Sequence, residues 1–320
     1  MQRSARIRTL LVLAVGIALL AVGPTIAQEK YKGYARGELL ITAQELKSLI
    51  DAKDPKLVVL AVAEGGLTGS YTRGHIPGSF QVWRPDYEPP VGKPFPFDGM
   101  ALNRADFEAF ARSFGINSDS KVVIYDEKYD ATRLWWLFFL YGKKDVRILD
   151  GGYWAWKEAG YPVDLGGGPD RNGKGNFVAT LAHPGLAAGM TDIWRAKEDR
   201  DIQVWDTREQ DEWTGETKKG KAKRAGRIPW STFQSWKEYR TKVQDNPTAF
   251  KPAAEVQKVI DKFKMDPNKE QIFYCQSGVR TTTAIFTLYM LGWDIEKLRN
   301  YDGSWLEWSY FEENPIVTGP

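Results

Sequence analysis

An internal repeat constrains this chain more than any other feature. The hexapeptide "GHIPGS" at 74–79 returns as "GRIPWS" at 226–231, and "DGGYWAW" at 150–156 returns as "DGSWLEW" at 302–308, each displaced by the same 152 positions. Between these landmarks, "KVVIYDEKYDATRLWWLFFLYG" (121–142) parallels "EQIFYCQSGVRTTTAIFTLYMLG" (270–292): a short apolar run, a polar loop, then a longer apolar segment closed by glycine. Two landmarks in register with a third feature between them mark a duplicated unit, so the chain folds as two similar domains. In this pairing Asp126 stands opposite Cys275, the one cysteine among 320 residues.

Each copy alternates strand and helix patterns. Leu57–Val62, Val122–Tyr125, Ile202–Trp205 and Gln271–Tyr274 are apolar runs of strand length. "NRADFEAFARSFGI" (103–116) puts Phe107, Phe110, Ala111 and Phe114 at helical spacing with Gly115 as a stop, and "AAEVQKVIDKFKM" (253–265) repeats the pattern. This alternation predicts an α/β fold in which each domain is a mainly parallel sheet flanked by helices on both faces. Glycine- and polar-rich "DLGGGPDRNGKGNF" (164–177) reads as a connector, which divides the chain into a first domain over 28–165, a linker over 166–189 and a second domain over 190–320.

Residues 1–27 read as a secretory signal peptide. Arg3, Arg6 and Arg8 precede the apolar run Leu10–Val22, Gly23-Pro24 interrupts it, and Thr25 and Ala27 suit the small positions before a cut. The run is short of the roughly 20 residues a spanning helix needs. The expectation is a periplasmic or secreted protein with no stable membrane insertion after cleavage. Cleavage would remove three arginines and no acids from 44 basic and 41 acidic residues, leaving 41 of each. A near-neutral chain lacks the basic footprint of a general nucleic-acid binder. A lone cysteine makes no internal disulfide, and with only His75 and His183 beside it the common Cys/His zinc site is excluded by counting, so no metal is expected.

Cys275 follows "QIFY" at a strand-to-helix corner, where ligands gather in parallel α/β sheets. A helix beginning around Val279 to Thr282 turns unpaired N–H groups and the positive end of its dipole toward the sulfur, which stabilises a thiolate. Gly278 lets the loop curl without a side-chain clash. Arg280 adds a permanent cation able to hold the loop or to grip an anionic substrate through its forked donors. Free cysteine usually packs as a small hydrophobe, but an inert one belongs inside the apolar run rather than after it, facing Gln276, Ser277 and Gly278. Tyrosine phosphatases use a similar corner with a Cys-x5-Arg loop; here the arginine comes at five and the sixth residue after Cys275 is Thr281. The tighter ring fits a smaller anion, such as a cysteine carrying one extra sulfur.

Taken together and in order, "GHIPGS" and "GRIPWS", "DTREQDEWTG" (206–215), "CQSGVR" and the "DGG"/"DGS" pair resemble a tandem-domain rhodanese, a thiosulfate or 3-mercaptopyruvate sulfurtransferase. The resemblance implies two rhodanese-like domains, a non-catalytic first one with Asp126 at the cysteine position and a catalytic second one. It implies that a sulfane sulfur moves from a small anionic donor to a thiophilic acceptor, such as cyanide or a thiol, through a Cys275 persulfide. The amides of Gln276, Ser277, Gly278, Val279 and Arg280 would cradle that persulfide, and no cofactor is implied beyond the covalent intermediate. Arg227 is a candidate for donor binding, and Asp206 and Arg208 for a network supporting the loop. "KKGKAKR" (218–224) reads as a solvated loop whose five positive charges can steer an anionic donor. Trp230 departs from the family's usual "GRIPG", which leaves the pocket shape and the choice between thiosulfate and mercaptopyruvate open; Arg280 favours thiosulfate. From another functional class, a non-catalytic persulfide carrier or oxyanion-binding sensor, acting with a periplasmic redox or sulfur-carrier partner, also fits the sequence.

Overall fold

The computed structural model describes residues 31–320, and the expected signal peptide lies outside the described residues. In the first domain β1 (Leu40–Ile41), α1 (Ala43–Asp51), β2 (Leu57–Val62), α2 (Ser70–Arg73), β3 (Phe80–Val82), α3 (Arg104–Ser113), β4 (Lys121–Asp126), α4 (Ala131–Leu140), β5 (Val146–Leu149) and α5 (Gly152–Glu158) follow in order. Its strands pair in parallel as β1-β5-β4-β2-β3. The second domain repeats this with β6 (Ala187–Ala188), α6 (Met190–Arg195), β7 (Ile202–Asp206), α7 (Gln210–Thr214), β8 (Thr232–Phe233), an added antiparallel hairpin of β9 (Arg240–Val243) and β10 (Asn246–Phe250), then α8 (Ala253–Phe263), β11 (Glu270–Tyr274), α9 (Thr281–Leu291), β12 (Leu298–Tyr301) and α10 (Ser304–Tyr310). Its order, β6-β12-β11-β7-β8, is that of the first sheet. Both central strands, β4 and β11, are buried on both faces, which is why they read as unbroken apolar runs.

The repeated hexapeptides have a structural reason. Ile76 N donates to the Tyr125 hydroxyl at 3.0 Å and Ser79 Oγ lies 2.9 Å from it; Ile228 N and Ser231 Oγ meet the Tyr274 hydroxyl at 3.3 and 2.9 Å. Each turn therefore anchors the tyrosine that precedes its corner. His75 and Arg227 clamp the trailing segments of their domains through matching bridges, to Asp164 and to Val317.

The linker is shorter and less free than the composition predicts. The second sheet already begins at β6, within 166–189, and Phe177 and Ala179 are buried against the first domain, Phe177 N donating to Ile116 O at 3.1 Å. Phe177, Ala179 and Leu186, all buried in the shared core, strap the stretch down. The apolar helices α4 and α9 meet across the domain boundary, with Trp135 edge-on to Phe286 at 4.7 Å and the Thr132 and Thr282 hydroxyls 2.9 Å apart. One apolar cluster spans both domains, and a large apolar interface of this kind fixes domain orientation.

Each domain also lends a segment to the other. Phe95, Phe97 and Met100 of the first domain pack into the core of the second. The β9–β10 hairpin crosses the other way, where Phe250 N donates to Asp150 Oδ1 at 2.8 Å and Trp236 meets Tyr129 ring to ring at 4.7 Å. Neither exchange follows from the repeat, because neither segment has a counterpart in the other copy. Among the described residues no helix is long and apolar enough to cross a membrane.

Candidate active site

Cys275 is the first residue after β11, which lies between β7 and β12, so its side chain emerges at the carboxyl edge of the sheet. The loop Cys275–Arg280 leads into α9, which starts at Thr281. Gly278 has φ +68, and a Cβ there would stand 2.7 Å from Asp302 O, so both the backbone and the neighbouring strand end demand glycine. Its carbonyl accepts from Asn300 Nδ2 at 3.1 Å and from Arg133 Nη1 of the first domain at 3.3 Å. Arg133 is fully buried and reaches Asp302 Oδ1 at 2.5 Å and Gly99 O at 3.0 Å, tying loop, sheet and first domain to one guanidinium. At the start of α10, Trp305 N and Leu306 N donate to the carbonyls of Cys275 and Gln276, both at 3.0 Å.

Ser304 completes the loop, and the motif reading passed over it. Its hydroxyl accepts from Cys275 N at 3.1 Å and Gly278 N at 3.0 Å, and donates to Tyr301 O at 2.8 Å. This corrects the expected cradle: the Gly278 amide is committed to Ser304. The amides of Gln276, Ser277, Val279 and Arg280 have no acceptor among the described residues. Ser304 holds φ +51, and the matching residue in the first copy is Gly152 at φ +56. The serine in "DGS" against glycine in "DGG" was the available signal. Ser304→Gly keeps the backbone geometry while deleting three bonds, so persulfide formation should slow roughly tenfold, with a stability loss of about 1–3 kcal/mol. Single-turnover sulfur uptake and a denaturant titration measure both, and an unchanged uptake rate would show that the loop does not depend on this hydroxyl.

Arg280 does not reach toward open solvent. Its Nη1 and Nη2 bond Glu212 Oε2 and Oε1 at 2.6 and 2.9 Å, with both side chains buried. The fork is thus filled by protein, and of the two roles open to Arg280 the structure displays loop holding. Burial opposes the Glu212 charge, but the bonds and field of Arg280, with Arg208 and Lys219 behind it, outweigh that and hold its carboxyl down at about 2. Asp206 and Arg208 form the neighbouring buried pair, with Arg208 Nη2 at 2.6 Å from Asp206 Oδ2 and 2.7 Å from Gly226 O, its guanidinium stacked over Trp305. Asp206, Arg208 and Glu212 brace the loop from behind without lining the cavity, whereas Arg280 contributes to its wall.

Cys275 is 1% exposed, yet it lines a cleft of about 630 Å³ between the domains. From the second domain come Cys275, Gln276, Ser277, Val279, Arg280 and the run Lys219–Lys221; from the first come Trp83, Arg84, Glu88, Asp98, Lys128 and Tyr129. The lysine run is therefore part of the cleft wall rather than a remote loop: Lys219 pairs with Glu212 at 3.1 Å and Lys221 with Asp98 at 2.6 Å. Arg84 is held by Asp130 at 2.6 Å. Two sequence-based expectations need relocation. Arg227 does not line the cleft; its guanidinium stacks on Trp213 and bonds Gly319 O at 2.5 Å, because it clamps the chain's last segment. Trp230 also lies elsewhere, packed with Trp194 and Trp308 and donating to Ile193 O, so it does not shape this cavity.

The corresponding corner of the first domain is closed. Asp126 takes the cysteine's place, and its carboxylate accepts from Ala131 N at 2.6 Å and Lys128 N at 3.2 Å, so the loop amides already hold a built-in anion. Burial pushes this carboxyl up to about 6, against the opposing pull of Arg240, which the β9–β10 hairpin inserts beside it. The second domain's corner, by contrast, carries a thiol and opens to a cavity.

A duplicated parallel α/β domain with one cysteine at the carboxyl edge of the second sheet and an acid in the first defines a class. The Rhodanese-like domain family matches residues 41–159 and 190–310, and the chain belongs to that family as a tandem pair. Among its relatives, the sulfur carrier protein TtuD of Thermus thermophilus is 30% identical over 304 residues, covering 90% of this chain and 99% of that protein. The thiosulfate sulfurtransferase of Corynebacterium glutamicum is also 30% identical, over 313 residues, covering 90% and 93%. Among solved structures, the anaerobic ergothioneine biosynthesis enzyme of Chlorobium limicola superposes with a TM-score of 0.76 over 90% of this chain and 72% of its own, at 24% identity, a likeness of fold.

Proposed function

We propose that this protein is a sulfurtransferase that carries a sulfane sulfur on Cys275, taking it from a small anionic donor such as thiosulfate and passing it to a thiophilic acceptor. The observation that carries this reading is a thiol lining a cleft that also holds Arg84, Lys128, Lys219 and Lys221, in a loop whose amides at Gln276, Ser277, Val279 and Arg280 have no acceptor among the described residues. The Cys275 thiolate attacks the outer sulfur of thiosulfate, sulfite leaves with the electron pair of the broken S–S bond, and Cys275 keeps one sulfur. The amides of Gln276, Ser277, Val279 and Arg280 are placed to stabilise the charge of the resulting persulfide. No dissociable cofactor enters. The names of two relatives, a thiosulfate sulfurtransferase and a sulfur carrier, support sulfur transfer and leave donor and acceptor open. Mercaptopyruvate is the alternative donor.

Intact-mass analysis after thiosulfate treatment tests the first half-reaction: one sulfur added at Cys275 supports the proposal, and none removes it. Thiocyanate production from thiosulfate and cyanide tests turnover. Loading without turnover would select the second reading, a persulfide carrier working with a protein partner. If the cleft cations draw in the donor, Lys128→Gln combined with Lys221→Gln should raise KM for thiosulfate roughly tenfold, with a smaller change in kcat and a weaker salt dependence. Initial rates at two ionic strengths check this. Export through a cleaved leader is proposed alongside, and N-terminal sequencing of the protein recovered from its native cell would test it.

A further inference from the structure

We propose that Glu88 is the base that takes the proton from a thiol acceptor as the sulfur leaves Cys275, so that a protic thiol, rather than cyanide, is the acceptor this cleft serves. The inference rests on the sulfur-transfer reading and concerns its second half. An ordinary thiol has a pKa of about 8.5, so near neutral pH most of it is S–H, while the attacking species is the thiolate. The proton has to go somewhere. Arg84, Lys128, Lys219, Lys221 and Arg280 line the cleft as cations and cannot take it. Neither histidine is there: His75 is stacked on Tyr71 inside the first domain and His183 lies against Glu296.

Two carboxyl groups remain in the lining, Glu88 and Asp98. Asp98 is engaged by Lys221 in an ion pair at 2.6 Å. Glu88 Oε1 is buried and, like Asp98 Oδ1, has no hydrogen-bond partner among the described residues, but among those residues no Lys or Arg pairs with the Glu88 carboxylate as Lys221 does with Asp98. Burial pushes its carboxyl up to about 7; Arg133 on α4 and Arg84 on its own segment pull it back, while Asp98 and Asp302 push it further up. A general base works best with a pKa near the operating pH. Arg133 also holds the Gly278 carbonyl, so the same guanidinium faces both the acid and the persulfide loop.

The step balances. The acceptor sulfur forms an S–S bond to the outer sulfur of the Cys275 persulfide, the Cys275 Sγ–S bond breaks with its electron pair staying on Sγ, and the acceptor's proton passes to Glu88. The acceptor leaves as its persulfide anion, Cys275 returns as thiolate, and Glu88 gives its proton to water. No oxidant or reductant is consumed.

The test loads Cys275 with inorganic polysulfide, which makes it independent of the donor, and follows single-turnover loss of the sulfur by intact mass. The acceptors are 2-mercaptoethanol, an uncharged thiol, and sulfite, which at mildly alkaline pH has no proton to lose. In the wild type, discharge to the thiol should rise through about pH 7 as Glu88 ionises. In Glu88→Gln the ratio of thiol to sulfite discharge should fall about 100-fold at mildly alkaline pH and recover near about pH 10, where the thiol ionises unaided. Glu88→Asp should restore part of the ratio. Equal loss with both acceptors, no loss, or a deficit that persists at high pH would overturn the assignment. A wild type that loads from polysulfide but not from thiosulfate would remove the donor reading alone; one that loads from neither removes both.

Discussion

Cys275→Ser is expected to give a folded protein that takes up no sulfur and whose turnover is at least about 10⁴-fold below wild type. The substitution is nearly isosteric at a site 1% exposed, and the bond from residue 275 to Ser304 is made by the main-chain N–H, so the loop geometry survives. What is lost is the sulfur itself. A serine hydroxyl does not ionise near neutral pH and cannot exchange sulfur with thiosulfate. Intact mass and thiocyanate production measure the loss, and a far-ultraviolet spectrum with a thermal melt checks that folding is intact. Residual sulfur uptake at more than a few per cent of the wild-type rate would mean that another group carries it, and since the chain has no second cysteine the covalent mechanism would fail.

Glu212→Ala is expected to be the most destabilising single change near the site. It removes the partner of a buried guanidinium, Arg280, and leaves that charge among Cys275 and the loop amides without compensation. Breaking a buried pair from one side costs about 3–5 kcal/mol, which for a chain of this size lowers Tm by on the order of 10 °C. Activity should fall with it, since Arg280 is then free to draw the loop out of shape. Acid titration gives an independent signature. The folded-state carboxyl sits at about 2 against an ordinary 4.5, so its contribution is fully present above pH 4.5 and is lost as pH falls toward 2. The wild type should lose on the order of 3 kcal/mol from this group across that window, and the variant should show a correspondingly flatter profile. Thermal melts of both proteins between pH 5 and 2 decide it; parallel profiles would show that Glu212 gains nothing from Arg280.

These two residues differ in how far the sequence exposed them. Cys275 was legible because everything that marks it is local: an apolar strand, a tight polar loop with Gly278, and a helix start, all within about a dozen positions. Glu212 was not, although it lies inside a quoted motif, because a glutamate near a helix start has an ordinary role as a cap and nothing in its neighbours shows that it meets Arg280. Ser304 was half legible. The repeat aligned it with Gly152, but reading a hydroxyl at that place as the acceptor for two loop amides requires knowing that β12 and β11 are adjacent strands. Arg227 shows the opposite: the family resemblance made it a candidate for donor binding, whereas its main chain bridges Val317 as that of His75 bridges Asp164, and its guanidinium bonds Gly319 O.

The duplication, the parallel α/β class, the position of Cys275 at the end of a strand and the acid opposite it in the first copy were determined by sequence alone. They rest on periodicity and on short-range chain geometry, which a linear string records directly. The cleft was decided by tertiary structure. Arg84, Glu88, Asp98, Lys128 and Tyr129 share a cleft with Cys275 only because α4 and α9 pack their apolar faces together and the 83–103 segment crosses onto the second domain. Contacts between residues well over a hundred positions apart leave no local trace, so the first-domain wall of the cleft exists only once the two copies have closed on each other.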